Sequence, residues 1–335
     1  MSRMMLPRRS FAAALAGTAA AGSFGRRARA AGPTKIRLIT SWFAQAEHGG
    51  HYQAKATGLY ERAGLDVEIK MGGPQVNPTQ LMLGGEADII MGYPLQVLKA
   101  QEQNLPVVAI GTSFQFDLVG LMTHDDVPNI AALKNHRILI ANSTRTTWWP
   151  WLKNRFGFTD GSAAPYTFNL QPFLVDRNTA VQSYVTSEPF EAAQQGAKVK
   201  FFLLADDGYP PYGNTLMTTR PFLQNNAEAL RRFLQVTAEG WKSYVTGDPA
   251  PGNALIQADN PRMTSDRIAY AIGKLREIKA LEGHGPDAAA ICTMNEASWE
   301  KTRDFMVGAD LLKASAPWRN AFTLDLVRDM RVTLS

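Results

Sequence analysis

Short apolar runs alternate with amphipathic stretches along most of this chain, which limits it to an α/β architecture with largely parallel sheets. Lys35-Ile-Arg-Leu-Ile-Thr40 alternates as a first strand, and Glu47 to Tyr60 reads as a helix. Gly64 stops that helix before a strand over Leu65–Lys70. Asn77-Pro78 is a helix start, an N-cap followed by Pro at the first helical position, and Gly84-Gly85 is the end. Strands over 87–91, 106–111 and 118–123, with a helix over 94–103, complete a first series. A second series begins near Asp125 with a strand over 137–141 and a helix carrying Trp148, Trp149 and Trp151. Strands are expected at 166–169, 180–185 and 199–204, then a return strand at 215–219 and helices over 226–246, 264–281 and 295–312. Two arrangements fit this order. Either two domains follow one another, or the chain leaves a first lobe near Thr123 and re-enters it near Thr215.

The first thirty residues read as an export leader. Arg3 and Arg8-Arg9 precede the small, apolar run from Phe11 to Phe24, and Ala28-Arg29-Ala30 offers a small-x-small cleavage pattern. Arg8-Arg9-Ser10-Phe11 resembles the twin-arginine motif, with Pro7 where Ser or Thr is usual; a general secretory signal with two arginines is the other reading. The apolar run is shorter than the ~20 residues a membrane span needs. The expectation is a periplasmic protein cut near Ala30.

The leader also corrects the charge. The chain has 35 basic and 30 acidic residues, hence +5, but Arg3, Arg8, Arg9, Arg26, Arg27 and Arg29 lie in a leader without acids. Removing these six takes +5 to −1. The mature chain therefore lacks the basic excess of a nucleic-acid or membrane-surface binder. Cys292 is the only cysteine, so no intrachain disulfide forms. No Cys lies just after the apolar run, so a soluble, unlipidated mature protein is expected, and it is expected to be a monomer. About 305 residues remain, enough for two lobes with their own cores.

Catalytic motifs are missing. There is no GxSxG, HExxH, GxxxxGK[ST] or strand-linked GxGxxG. His48 and His51, three apart, share a helix face, but no third ligand stands at metal-binding spacing. Cys292 has no neighbouring base and reads as a small core residue. No catalytic residue, metal or cofactor is expected. Aromatics carry the positive signal: Trp42-Phe43, Phe114-Gln115-Phe116, Trp148-Trp149-Pro150-Trp151 and Tyr209-Pro-Pro-Tyr212 fall at strand ends, where α/β sheets hold ligands. Part of the tryptophan triplet is expected in the core. Asn142-Ser143-Thr144-Arg145 opens a helix after a strand, either as an oxygen-binding helix start or as a simple N-cap.

Several blocks in order resemble one family. They are Glu47 to Ala56, Gly58-Leu59-Tyr60-Glu61, Gly64 to Glu68, Gly84 to Asp88, Gly92-Tyr93, Leu105 to Ala109, and Tyr184 to Phe190 with its Glu188-Pro189 pair. The chain is similar to the group of ABC-transporter binding proteins for thiamine pyrimidines, nitrate, sulfonates and taurine. The resemblance implies a type II periplasmic binding fold with two α/β lobes, a hinge and an interlobe cleft. It favours the discontinuous arrangement, with lobe one over 34–123 and 215–335 and lobe two over 124–214. It implies a small-molecule ligand and, as partners, an inner-membrane permease with its ATPase. The implied ligand residues are Trp42, His48, Tyr93, Ser143, Thr144 and Glu188, and the aromatic strand ends add Gln115. Glu188 suits a planar nitrogen heterocycle such as a thiamine-pyrimidine precursor. Arg145 suits the alternative, an alkanesulfonate, taurine or nitrate-type anion. A sensor for a membrane kinase would share these features. A fungal thiamine-pyrimidine synthase in the same group carries a cysteine-rich motif that Cys292 alone cannot supply, so a non-enzyme is expected.

Overall fold

Alternating strand residues face two different layers of helices, and this two-sided burial organises both sheets. The computed structural model describes residues 32–73, 75–285 and 288–335; the expected leader, 1–30, lies outside them. Residues 33–335 form one compact unit.

The first sheet holds β1 (Thr34–Ile39), β2 (Leu65–Lys70), β3 (Ile89–Gly92), β4 (Val107–Phe114) and β10 (Gly213–Thr219), in the order β2-β1-β3-β10-β4. The second holds β5 (Val119–His124), β6 (Arg137–Ile140), β7 (Ala163–Pro165), β8 (Thr179–Tyr184) and β9 (Val199–Leu203), in the order β7-β6-β8-β5-β9. In each sheet four strands run in one direction and one, β10 or β5, runs antiparallel between two of them; β10 returns to the first sheet after the chain has built the second. The expected lobe boundary at 123/124 falls inside β5, whose ladders with β8 and β9 put it in the second sheet.

Ile36, Leu38, Ile89, Met91, Ile110 and Leu216 face one core of the first sheet, while Ile39, Ile90, Ala109 and Met217 face the other. The first core is covered by α1 (Gly49–Ala56) and α8 (Arg220–Thr246), the second by α4 (Pro94–Glu102) and α11 (Glu296–Gly308). Val119, Leu121, Ile138 and Ile140 fill one side of the second sheet, and Met122, Leu139 and Val181 the other. All three residues Trp148, Trp149 and Trp151 are buried in the former core.

Local rules explain most boundaries. Helix α3 (Pro78–Leu83) begins where Asn77 accepts from Gln80 N at 3.1 Å, a cap worth ~1 kcal/mol. The helix expected over 47–60 breaks into α1 and α2 (Leu59–Arg62), because Gly58 takes a left-handed turn at φ 69°. Two expectations need correction. Residues 166–169 are not a strand: the ladder of β7 with β6 stops at Pro165, and Phe168 sits at φ 61°. Residues 142–146 form a short 3-10 helix separate from α5 (Trp149–Phe156), so they do not open that helix.

Candidate functional site

The two connections between the sheets run side by side. Asp117 N donates to Pro211 O at 2.9 Å, and Thr112 Oγ1 donates to Gly213 O at 2.7 Å. The carboxyl ends of β1, β3, β6, β7 and β8 then meet along one seam, through side chains of residues 41–48, 93, 144, 166–168 and 182–188. That is where an open α/β sheet presents ligand-binding loops.

Trp42 forms one wall. Its carbonyl accepts from Thr40 Oγ1 at 2.7 Å and from Gly72 N at 3.1 Å, which fixes the loop. Its ring centroid lies 5.6 Å from Phe43 and, across the seam, 5.5 Å from Phe168. Phe168 continues to Tyr166 at 5.2 Å, and Tyr166 OH donates to Glu188 Oε1 at 3.4 Å. An aromatic row thus runs from the exposed edge to a carboxylate.

Three carboxyls grip the segment 184–188. Glu188, at the start of α7 (Glu188–Gln194), takes Tyr184 N at 2.8 Å and Ser183 Oγ at 3.3 Å on Oε2. Asp117 takes Tyr184 OH at 3.0 Å, and Tyr93 OH lies 2.9 Å from that same phenol. Glu47 accepts from Thr186 Oγ1, a bond that joins the first half of the seam to the second. Burial raises the pKa of all three, that of Asp117 to about 7. Arg267, whose charge reaches Glu47, is committed to Ser187 Oγ at 2.9 Å and to Glu191.

His48 is fully buried behind this row. Asn214 Nδ2 donates to Glu47 O at 2.9 Å, so its Oδ1 is left to accept from Ser41 Oγ at 3.0 Å. Ser41 Oγ therefore accepts from His48 Nε2 at 3.2 Å, which assigns the neutral Nε2–H tautomer and leaves Nδ1 without a partner. Burial holds His48 and His51 down at about 3, so neither offers a positive charge here.

The structure thus brings Trp42, Tyr93 and Glu188 together, with His48 one layer behind through Ser41. Thr144 is buried and donates to Gln182 Oε1 at 2.6 Å, while Ser143 is exposed at the rim. Arg145 turns toward Asp160, 4.0 Å away. Gln115 spends its amide on Thr293 O at 3.1 Å. Sequence reasoning missed Glu47, Asp117, Tyr166, Phe168, Gln182 and Tyr184 as members of the seam; of these Glu47 and Tyr184 carried a signal, each as the first residue of a family block. Two surface depressions lie elsewhere. One of about 410 Å³ is bounded by Lys134, Arg137 and Asn178 at the opposite strand ends, and one of about 280 Å³ by Arg231, Arg232 and Leu326. Cys292 is buried, and burial pushes its thiol up, so it is no nucleophile.

Asp117 makes the fold pH-sensitive in a defined direction. Its folded pKa of about 7 exceeds the ~3.9 of an unfolded carboxylate. Its stabilising contribution is complete below about pH 4 and is lost as pH rises to about 7. Relative to Asp117→Asn, the wild-type melting temperature is expected to fall across that window. Parallel curves for the two proteins would remove Asp117 from this role.

Two sheets, each with one antiparallel strand, the first closed by β10 on the chain's return and both meeting at their parallel carboxyl ends, define the type II periplasmic binding protein fold. The periplasmic aliphatic sulphonate binding protein SsuA from Escherichia coli shares it, with a TM-score of 0.64 and 14% identity over 86% of this chain and 92% of that one. The NMT1/THI5-like family matches residues 45–250, and the chain belongs to that family. It is 21% identical to the formylaminopyrimidine-binding protein of Halalkalibacterium halodurans, over 86% of this chain and 89% of the relative. It is also 25% identical to the 4-amino-5-hydroxymethyl-2-methylpyrimidine phosphate synthase of Schizosaccharomyces pombe, over 42% of each chain.

Proposed function

We propose that the chain is the periplasmic solute-binding component of an ABC importer and that it binds a flat, donor-rich nitrogen heterocycle at the seam. In this reading residues 1–30 direct export and are removed near Ala30. One lobe is the first sheet with its helices, the other the second sheet, and the paired connections at Asp117 and Pro211 are the hinge. A permease with its ATPase receives the ligand from the closed form.

One observation carries the ligand class: Glu47, Asp117 and Glu188 all converge on residues 184–188 with their carboxyls in poor solvent. An anion placed there meets negative charge or forces protonation, whereas exocyclic amines and ring N–H groups find acceptors. Glu188 Oε1 is the open acceptor, since its only partner is the long contact from Tyr166. Trp42 supplies the stacking face. Arg145, the group that suits an anion, faces Asp160 instead. The formylaminopyrimidine-binding relative agrees with this choice.

Closing two lobes from 1:99 to 99:1 takes about 5.5 kcal/mol of preference for the closed form. Stacking together with charge-assisted hydrogen bonds is of that order. A thermal-shift screen of the mature protein against aminopyrimidines, riboflavin, taurine, alkanesulfonates and nitrate tests the reading. Ligand at 100 times Kd stabilises by about 2.7 kcal/mol. Stabilisation by aminopyrimidines is expected; a response to sulfonates alone sinks the heterocycle reading, and turnover of any compound sinks the transport reading.

A further inference from the structure

We infer that Phe168 is the second, movable wall of the ring site: a flat ligand separates it from Trp42 and is held between the two. The inference rests on the functional reading above. Phe168 is 54% exposed, yet its ring meets Trp42 at 5.5 Å and Tyr166 at 5.2 Å. It is therefore not a core residue, and its two contacts lie on the line that leads to Glu188. Its φ of 61° is a conformation that a bulky side chain adopts only under constraint. The chain has just left β7 at Pro165, and this turn lets Phe168 reach Trp42 across the seam.

The two walls are held unequally. The Trp42 loop is pinned by Thr40 and Gly72, whereas Phe168 lies beyond the last ladder pair of β7, Ile140 with Pro165. A ring stacked between two aromatic faces needs about 7 Å between them, twice a ~3.5 Å van der Waals contact. The two rings now stand tilted by 45° with centroids 5.5 Å apart, so Phe168 must turn parallel to Trp42 and draw back by roughly 1.5 Å while Trp42 stays in place. The trapped ring then lies beside Tyr166, with its amine toward Glu188 Oε1. Phe168 so contributes affinity for flat rings without touching the polar end of the ligand.

Calorimetric titration with formylaminopyrimidine tests this in Phe168→Ala, Phe168→Leu and Phe168→Tyr, with thermal melts as a check on folding. Because the side chain is largely exposed, all three variants are expected to melt like the wild type. Phe168→Tyr keeps the flat ring and is expected to bind within threefold of the wild type. Phe168→Leu and Phe168→Ala are expected to bind at least tenfold more weakly. In the free protein, Phe168→Ala is also expected to raise acrylamide quenching of Trp42, measured against Trp42→Phe. Wild-type affinity in the alanine variant, or equal affinities for the Leu and Tyr variants, overturns the inference alone. If the wild type binds no flat heterocycle, the functional reading fails and takes the inference with it.

Discussion

Replacing Glu188 by Gln is expected to weaken formylaminopyrimidine binding by roughly 10- to 150-fold while leaving the fold intact. The side-chain amide oxygen of Gln still accepts from Tyr184 N and Ser183 Oγ, the two bonds that anchor the start of α7. What changes is the group offered to the ligand. A carboxyl oxygen that accepts becomes an amide N–H₂ donor facing another donor. Hydrogen bonds to charged groups are worth about 1.5–3 kcal/mol, which sets the range. The same substitution removes negative charge and leaves any affinity for sulfonate equal or higher. Titration of wild type and Glu188→Gln with both compounds checks this. Unchanged pyrimidine affinity would show that Glu188 only caps its helix.

A second large effect is expected in the helix packing behind the seam. Gly240→Ala should destabilise the protein by about 3 kcal/mol or more, near the upper end of overpacking costs. Helix α1 crosses α8 so closely that a Cβ at Gly240 would stand 2.3 Å from Gly50 O and 2.7 Å from Ala54 Cβ. Those neighbours are backbone and a short stub, so no side chain can swing aside. At Gly50 a Cβ would meet the Trp241 ring at 2.2 Å, which locks the same crossing from the other side. This crossing sets the height of the α1 N-terminus, and with it the Glu47 carboxyl and His48. Urea denaturation of Gly240→Ala measures the loss; a cost below about 1 kcal/mol would mean that the helices separate freely.

The Gly49-Gly50 pair illustrates how far the sequence could be read. It marked the family block, but its reason appears only when Trp241 and Tyr244 are seen packed onto it. Strand β2 has the same ends in sequence and structure, and α3 starts at the predicted Asn77 cap, because both depend on local chemistry. Helix α9 (Ala250–Asp259) was missed, since Pro249-Ala-Pro-Gly reads as a loop until its contacts with α1 are made. Tyr166–Asn169 has strand-like alternation, yet pairing ends at Pro165, and the misread segment holds Phe168.

Site residues divide in the same way. Within the candidate seam, Trp42 was legible from its strand-end loop, and Tyr93 and Glu188 from the family blocks that hold them. Glu47 opened a family block without being singled out for the site, because the partner that makes it a seam residue, Thr186, lies 139 positions away. Asp117 and Tyr184 likewise become one unit only across the two sheets. Arg145 and Gln115 were plausible by position, but other partners, Asp160 and the distant Thr293 carbonyl, claim them. Long-range pairing decides such cases, and one chain read alone carries no record of it.

The most direct test of a donor-rich heterocycle site is calorimetric titration of the mature protein at pH 7 with formylaminopyrimidine and, in parallel, an alkanesulfonate. Saturable one-to-one binding of the pyrimidine with no heat from the sulfonate is the predicted result. Tight binding of the sulfonate with none of the pyrimidine would contradict it.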